Sequence, residues 1–260
     1  MTHVVESGSG PALLLLHGIG GGADSFAPQF DELSSSLRLL AWDAPGYGRS
    51  EDPGRPFDLD DYADAAADLI RDRCGDAGAH VLGMSWGGVI ATRLAMRHPG
   101  LVRSLLLGSS TVGSGADDEA AGRMRARAAM LDREGAEAFA AERAPRLLSG
   151  TADDQVTAKA TAIMASSIRL PGYGYAAESM AATDHTADLP KIDIPTLVLG
   201  GDEDSVTGVP ASQVLAGGIP GAVFVTIRGA GHLANQERPE AFNAWVESFI
   251  HITERLRNHF

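Results

Sequence analysis

The chain has 260 residues, 44% of them hydrophobic, enough to bury a sizeable core as one domain with or without a small insertion. Its 34 acidic against 21 basic residues leave a formal charge of -13, and the basic residues are scattered singly, which excludes a phosphate backbone or an anionic lipid surface as the expected partner. The single cysteine, Cys74, excludes an internal disulfide and has no Cys or His neighbours at metal-ligand spacing, so a reducing cytoplasm is expected and no metal site is.

In chain order, Met1–Ser7 lacks the basic and then apolar run of a signal peptide, and no window reaches the roughly 18 apolar residues of a membrane span. One strand-like stretch lies around His3–Glu6. Short apolar runs ending in turn residues then recur at Ala12–Leu16, Leu37–Trp42, Ala79–Leu82, Val102–Leu107, Thr196–Leu199 and Val223–Ile227, and they read as buried parallel strands. Helical spacing fills the gaps, as in Leu59, Tyr62, Ala63, Ala66, Leu69 and Ile70, and near the end in Phe242, Trp245, Val246, Phe249 and Ile250. Alternating strand and helix predicts an α/β fold with a mostly parallel sheet covered on both faces.

From Gly113 to Asp188 no strand-like run appears. Helical pieces are predicted at Asp117–Arg133, Glu137–Arg143, Asp153–Ser167 and Gly174–Ala182, bounded by turn chemistry at Gly113-Ser114-Gly115 and Asp188-Leu189-Pro190. The expected division is therefore a core of residues 1–112 and 189–260 with a helical cap at 113–188 over the strand ends.

The strongest local signal is Gly83-Met84-Ser85-Trp86-Gly87, placed between a strand and the helical stretch Gly88–His98. A nucleophile on a sharp turn needs neighbours without a Cβ so that the backbone can fold closely beneath it. A chance glycine-rich turn is the bland alternative, but it does not explain the strand and helix on either side. A serine hydroxyl is a weak nucleophile at neutral pH, so a base and a group orienting that base must follow. His232 lies just after the last strand-like run and before the final amphipathic helix; of the others, His3, His251 and His259 are terminal, His80 and His98 flank core elements and His185 sits at the cap's edge, where structural or surface roles are the default. Asp202, Glu203 and Asp204 follow the preceding strand. Asp204 is chosen as the orienting acid, with Asp202 as a turn-former in competition and Glu203 solvated. Two backbone donors for an oxyanion are expected at Ile19, in the loop His17-Gly18-Ile19-Gly20, and at Trp86. The same loop lacks the Gly-Lys-Ser/Thr ending of a phosphate cradle.

Together these residues resemble the α/β-hydrolase superfamily: the His17-Gly18 loop, Asp43–Ser50 after the next strand, the Ser85 elbow, the Gly201–Asp204 turn and Gly231-His232. The resemblance covers nearly the whole chain and implies an eight-stranded sheet with a helical cap after the sixth strand. It also implies that Asp43–Ser50 is architectural. Within the superfamily the chain is similar to the bacterial group of 3-oxoadipate enol-lactonases, related esterases and hydrolases of aromatic meta-cleavage products, with Gly172-Tyr173 and the later Asp184 matching the lactonase pattern. The chain departs from the family in two places. So little precedes Pro11 that the usual first antiparallel strand is missing or abbreviated, and the elbow reads Ser-Trp, as in prolyl iminopeptidases, although Asp43-Ala44-Pro45 lacks their Asp-Gln-Arg. A serine at the elbow excludes the alkyl-enzyme ester of haloalkane dehalogenases and epoxide hydrolases.

The resemblance implies an acyl-serine hydrolase of a small carboxylic ester or lactone, with a Ser85, Asp204, His232 triad. Carbon–carbon hydrolysis of meta-cleavage diketones is the alternative, followed by a non-hydrolytic enzyme on this fold or a binding protein that keeps the fold. Phe26, Met124, Met164 and Tyr173 are expected to line the substrate pocket, with Met130, Met180 and Tyr175 open to the same reading. The expected partner is a small-molecule substrate, with no cofactor, no nucleic acid and no membrane, and with a homodimer allowed.

Overall fold

The computed structural model describes residues 1–257. Seven strands form one sheet in the order β1-β3-β2-β4-β5-β6-β7. They are β1 (Val4–Ser7), β2 (Ala12–Leu16), β3 (Arg38–Trp42), β4 (Ala79–Met84), β5 (Val102–Gly108), β6 (Thr196–Gly201) and β7 (Val223–Ile227). Only β1 runs antiparallel, with Val4 opposite Trp42, and every other pair is parallel. The eight strands implied by the resemblance are thus seven, because the segment ahead of β2 holds one four-residue strand. The insertion consequently follows the fifth strand of this chain rather than the sixth.

Successive side chains of a strand point to opposite faces, and here both faces are dry. On one face Leu14, Leu16, Val81, Leu105 and Leu107 pack with α2 (Leu59–Cys74) and α3 (Trp86–Arg97). On the other, Leu13, Leu15, Leu82, Leu106 and Leu197 pack with Phe26, Leu33 of α1 (Ala27–Leu33), and Phe242, Val246 and Ile250 of α9 (Pro239–Arg257). Burial on both sides explains the unbroken apolar run of β2 and the full burial of β4, whose one polar residue is His80. β7 departs from the expected burial: only Ile227 is buried and Val223 is 46% exposed, since an edge strand has one neighbour instead of two.

Between β5 and β6 lie α4 (Asp118–Arg143), α5 (Asp154–Ser167) and α6 (Gly172–Ala181). Asp117 and Asp153 cap the first two by accepting from backbone N–H groups of their opening turns. α4 joins the two predicted pieces across a kink at Gly135, whose φ of 78° and ψ of 163° break the helix and turn its second half. Core residues of these helices, including Met124, Phe139 and Tyr173, continue the apolar cluster of the α2/α3 face. Two further helices, α7 (Gly208–Gly218) and the short α8 (Ala234–Glu237), complete the chain. No described helix is long and apolar enough to cross a membrane.

Candidate active site

The chain winds one way from β2 to β3 and the other way from β4 onward, so β2 and β4 are neighbours whose following loops diverge. A crevice at the carboxyl ends of such strands is where open parallel sheets hold ligands. Ser85 sits there, directly after β4, with φ 52° and ψ -115°. A non-glycine residue at positive φ persists only where its surroundings impose it. The imposition is visible: a Cβ at Gly83 would fall 2.2 Å from the Gly87 carbonyl oxygen, and one at Gly87 would fall 2.1 Å from that of Leu16. The Ser85 N–H donates to the Gly108 carbonyl at 2.8 Å, and the Ser110 hydroxyl donates to the Ser85 carbonyl at 2.8 Å, which ties the turn to β5 and the residues after it.

His232 is buried in the loop after β7, and its Nδ1 lies 3.0 Å from Asp204 Oδ2. The carboxylate accepts further bonds from the Thr207 hydroxyl at 2.6 Å and the Val206 N–H at 2.8 Å. Burial by itself would raise the Asp204 carboxyl, but the imidazole and these donors overcome it and hold the group well below the usual carboxylate range. An ionised Asp204 fixes the imidazole proton on Nδ1 and leaves Nε2 as an acceptor. Asp202 is exposed and takes a different partner, accepting from the Gly229 N–H at 2.6 Å, and so joins the acid loop to the histidine loop from outside. Glu203 is exposed.

His17 has a structural task. Its Nε2 accepts from the Ala44 N–H at 3.0 Å, so its proton belongs on Nδ1, 2.8 Å from the Gly18 carbonyl. Burial lowers its basicity and keeps it neutral. Asp43 accepts from the Ala23 N–H and from Arg49, bracing the loop that carries Ile19. Trp86 opens α3, where the first backbone N–H groups have no acceptor within the helix.

Ser85, His232, Ile19 and Trp86 line one cavity of about 340 Å³, within the range of small-ligand sites. Phe26, Met124, Met164 and Tyr173 line it too, as does Met180. Met130, Tyr175 and Asp184 do not; Asp184 is exposed and bonds Thr186. The Trp86 indole is fully buried and donates to the Ser179 hydroxyl at 3.0 Å, with ring centroids of Tyr62 and Tyr47 at 4.8 and 5.5 Å.

Three kinds of residue escaped the sequence reading. Glu237 is buried and bridges the Gly231 N–H at 2.8 Å and the Ser149 N–H at 2.9 Å, binding the histidine loop to the inserted segment. Thr207 supports Asp204. Arg123, Arg127 and Arg143 line the cavity, and no Asp or Glu does. Nothing in helical spacing marks those arginines among the other charges of α4.

The family model described as "Alpha/beta hydrolase family" matches residues 13–245. This chain belongs to the alpha/beta hydrolase family. It is 32% identical, over 97% of its length, to the polyketide synthase ThaQ of Burkholderia thailandensis, of which it spans 12%. It is 27% identical to 3-oxoadipate enol-lactonase 2 of Acinetobacter baylyi, covering 92% of this chain and 88% of that protein. Among solved structures it resembles a thermophilic esterase from Thermogutta terrifontis, solved with malate bound, at a TM-score of 0.88 and 28% identity, covering 97% of this chain and 93% of that one. The alpha/beta hydrolase thus has relatives named for ester and lactone hydrolysis.

Proposed function

We propose that this alpha/beta hydrolase cleaves a small carboxylic ester or lactone through an acyl-enzyme on Ser85. The observation that carries the reading is the meeting, on one cavity, of a serine on a positive-φ elbow and a histidine whose Nδ1 is bonded to a buried carboxylate. The esterase and enol-lactonase names of relatives support the substrate class.

His232 Nε2 takes the hydroxyl proton as Ser85 Oγ attacks the carbonyl carbon. Charge gathers on the carbonyl oxygen, where the Ile19 and Trp86 N–H groups stabilise it. Collapse breaks the bond to the leaving oxygen, which takes the proton from His232. Water then attacks the acyl-serine with the imidazole again as base, and the carboxylic acid departs with the Ser85 hydroxyl restored. In a lactone the leaving oxygen stays tethered to the acyl group. The single Cys74, which has no second cysteine to form an internal disulfide, is the feature that supports a reducing cytoplasmic setting for the enzyme.

The test is a screen of p-nitrophenyl esters of graded chain length beside lactones and meta-cleavage dienones, with fluorophosphonate labelling of Ser85. Ester or lactone turnover, lost by a factor of about 10⁴ or more in Ser85→Ala and His232→Ala with melting temperatures preserved, is expected. Turnover confined to the dienones would replace the reading with carbon–carbon hydrolysis. Labelling without turnover of any of them would point to a non-hydrolytic enzyme.

A further inference from the structure

The cavity wall has a charge pattern opposite to that of the molecule. In a chain with 34 acidic and 21 basic residues, every acidic group is absent from the lining while three guanidiniums contribute to it. Arg123 is exposed and already paired with Glu119. Arg127 and Arg143 differ. Both are half-buried, and among the described residues neither has a carboxylate within 4.0 Å. Arg127 donates to the Met124 thioether at 3.3 Å, a weak acceptor. Arg143 lies 5.5 Å from the centroid of the Phe139 ring, which itself meets the Tyr173 ring edge-on.

The kink at Gly135 breaks α4 between Arg127 and Arg143, and these residues, sixteen apart on one helix, both line the cavity. Burial, and after it the Arg143 charge, lower Arg127 from its ordinary value. Arg127, Arg143 and Tyr173 all line the cavity, and the Tyr173 hydroxyl is pushed up by burial and drawn back by both guanidiniums. Arginine stays protonated in proteins. Two like charges held half-buried without a counter-ion are costly, and the cost is relieved by an anion that accepts from both. Guanidinium forks match the planar, two-oxygen geometry of a carboxylate.

We propose that Arg127, Arg143 and the Tyr173 hydroxyl form a carboxylate-binding subsite, and that the substrate is an ester or lactone bearing a second, ionised carboxyl group. The proposal rests on the serine-hydrolase reading for the reaction, but the subsite itself does not require Ser85 to react.

Two measurements separate these. In the first, kcat/KM for the p-nitrophenyl monoester of glutaric acid is compared with that for p-nitrophenyl pentanoate, which has a methyl in place of the carboxylate. The anionic ester is expected to be preferred at least ten-fold, and the ratio is expected to fall at least ten-fold in Arg127→Gln and in Arg143→Gln. Arg146→Gln, an exposed arginine paired with Glu142 outside the cavity, should keep the ratio. A wild-type preference for the neutral ester, or a ratio unmoved by both substitutions, overturns the subsite. In the second, glutarate binding to Ser85→Ala is measured by calorimetry, with and without Arg127→Gln and with melting curves as the folding control. Binding weakened ten-fold or more by the substitution supports the subsite even if no ester is turned over, in which case only the hydrolase reading falls. No glutarate binding, or displacement of glutarate by equal or lower concentrations of inorganic phosphate, overturns the carboxylate assignment.

Discussion

Asp204 and Asp202 stand two positions apart and have opposite surroundings: one is buried against His232, the other exposed against a backbone N–H. An acid that orients a histidine acts by fixing its tautomer, so an amide at the same place leaves the shape and loses the function. Asp204→Asn should cost about 10³- to 10⁴-fold in kcat with KM little changed, whereas Asp202→Asn should cost less than about ten-fold. Steady-state rates on one p-nitrophenyl ester decide it, and equal losses at both positions would reassign the acid. The depressed Asp204 carboxyl also predicts a pH dependence of stability. An unfolded aspartate titrates near about 3.9, and the folded value lies below it, so the stabilisation is fully present above that pH and is lost as pH falls through the folded value. The difference in unfolding free energy between the parent protein and Asp204→Asn should shrink as urea titrations move from pH 5 to pH 3. A difference that grows on acidification would contradict the bonding described for the carboxylate.

At the scale of elements, the elbow proposed to carry the nucleophile is also a packing device. β4 must stop, turn and open α3 while the turn lies against the carbonyl at the end of β2, and Gly87 is where those backbones meet. A Cβ there meets main chain, which has no rotamer to yield, so the cost is a shift of β2 or of the helix start. Gly87→Ala should lower stability by about 1–3 kcal/mol and abolish fluorophosphonate labelling of Ser85. Gly100, whose added Cβ would meet nothing, is the control, and Gly100→Ala should keep full labelling. Normal labelling of Gly87→Ala would mean that the turn tolerates more room than its geometry shows. The inserted segment is joined to the core by the shared apolar cluster and by specific bonds, Trp86 to Ser179 and Glu237 to Ser149 among them, which tie it to the elbow and the histidine loop.

For the molecule as a whole, stability rests on a sheet covered on both faces, with β2, β4 and β5 at its centre. Leu14 and Leu15 are adjacent on β2, fully buried, and belong to opposite layers. Leu14→Ala and Leu15→Ala should each cost about 2–5 kcal/mol, because neither layer can collapse around the missing atoms without moving the strand. Chemical denaturation measures both. A loss under about 1 kcal/mol at either position would show that its layer repacks freely. Net charge acts at this scale too: at -13 the molecule's field disfavours anions at a distance, so the carboxylate subsite proposed above would have to select its ligand at short range.

Ala12–Leu16 was legible in the sequence because burial on two faces writes a continuous apolar stretch, and Val223–Ile227, though partly exposed at the sheet edge, is also a strand with the predicted bounds. The Gly83–Gly87 pentapeptide was legible because a positive-φ serine needs glycines at fixed offsets. The short segment ahead of Pro11 already announced a missing first strand, and the turn after β6 already offered Asp204; edge exposure of β7 and the bond from the Gly229 N–H to Asp202 were not legible, since they depend on which strands and loops lie beside one another. Arg127 and Arg143 look in sequence like solvated charges on a helix, yet both line the cavity, one on each side of the break at Gly135. Periodicity reports what a residue does within its own element. Convergence of side chains a hundred positions apart is decided by sheet order, loop bonds and helix breaks, which no local pattern encodes.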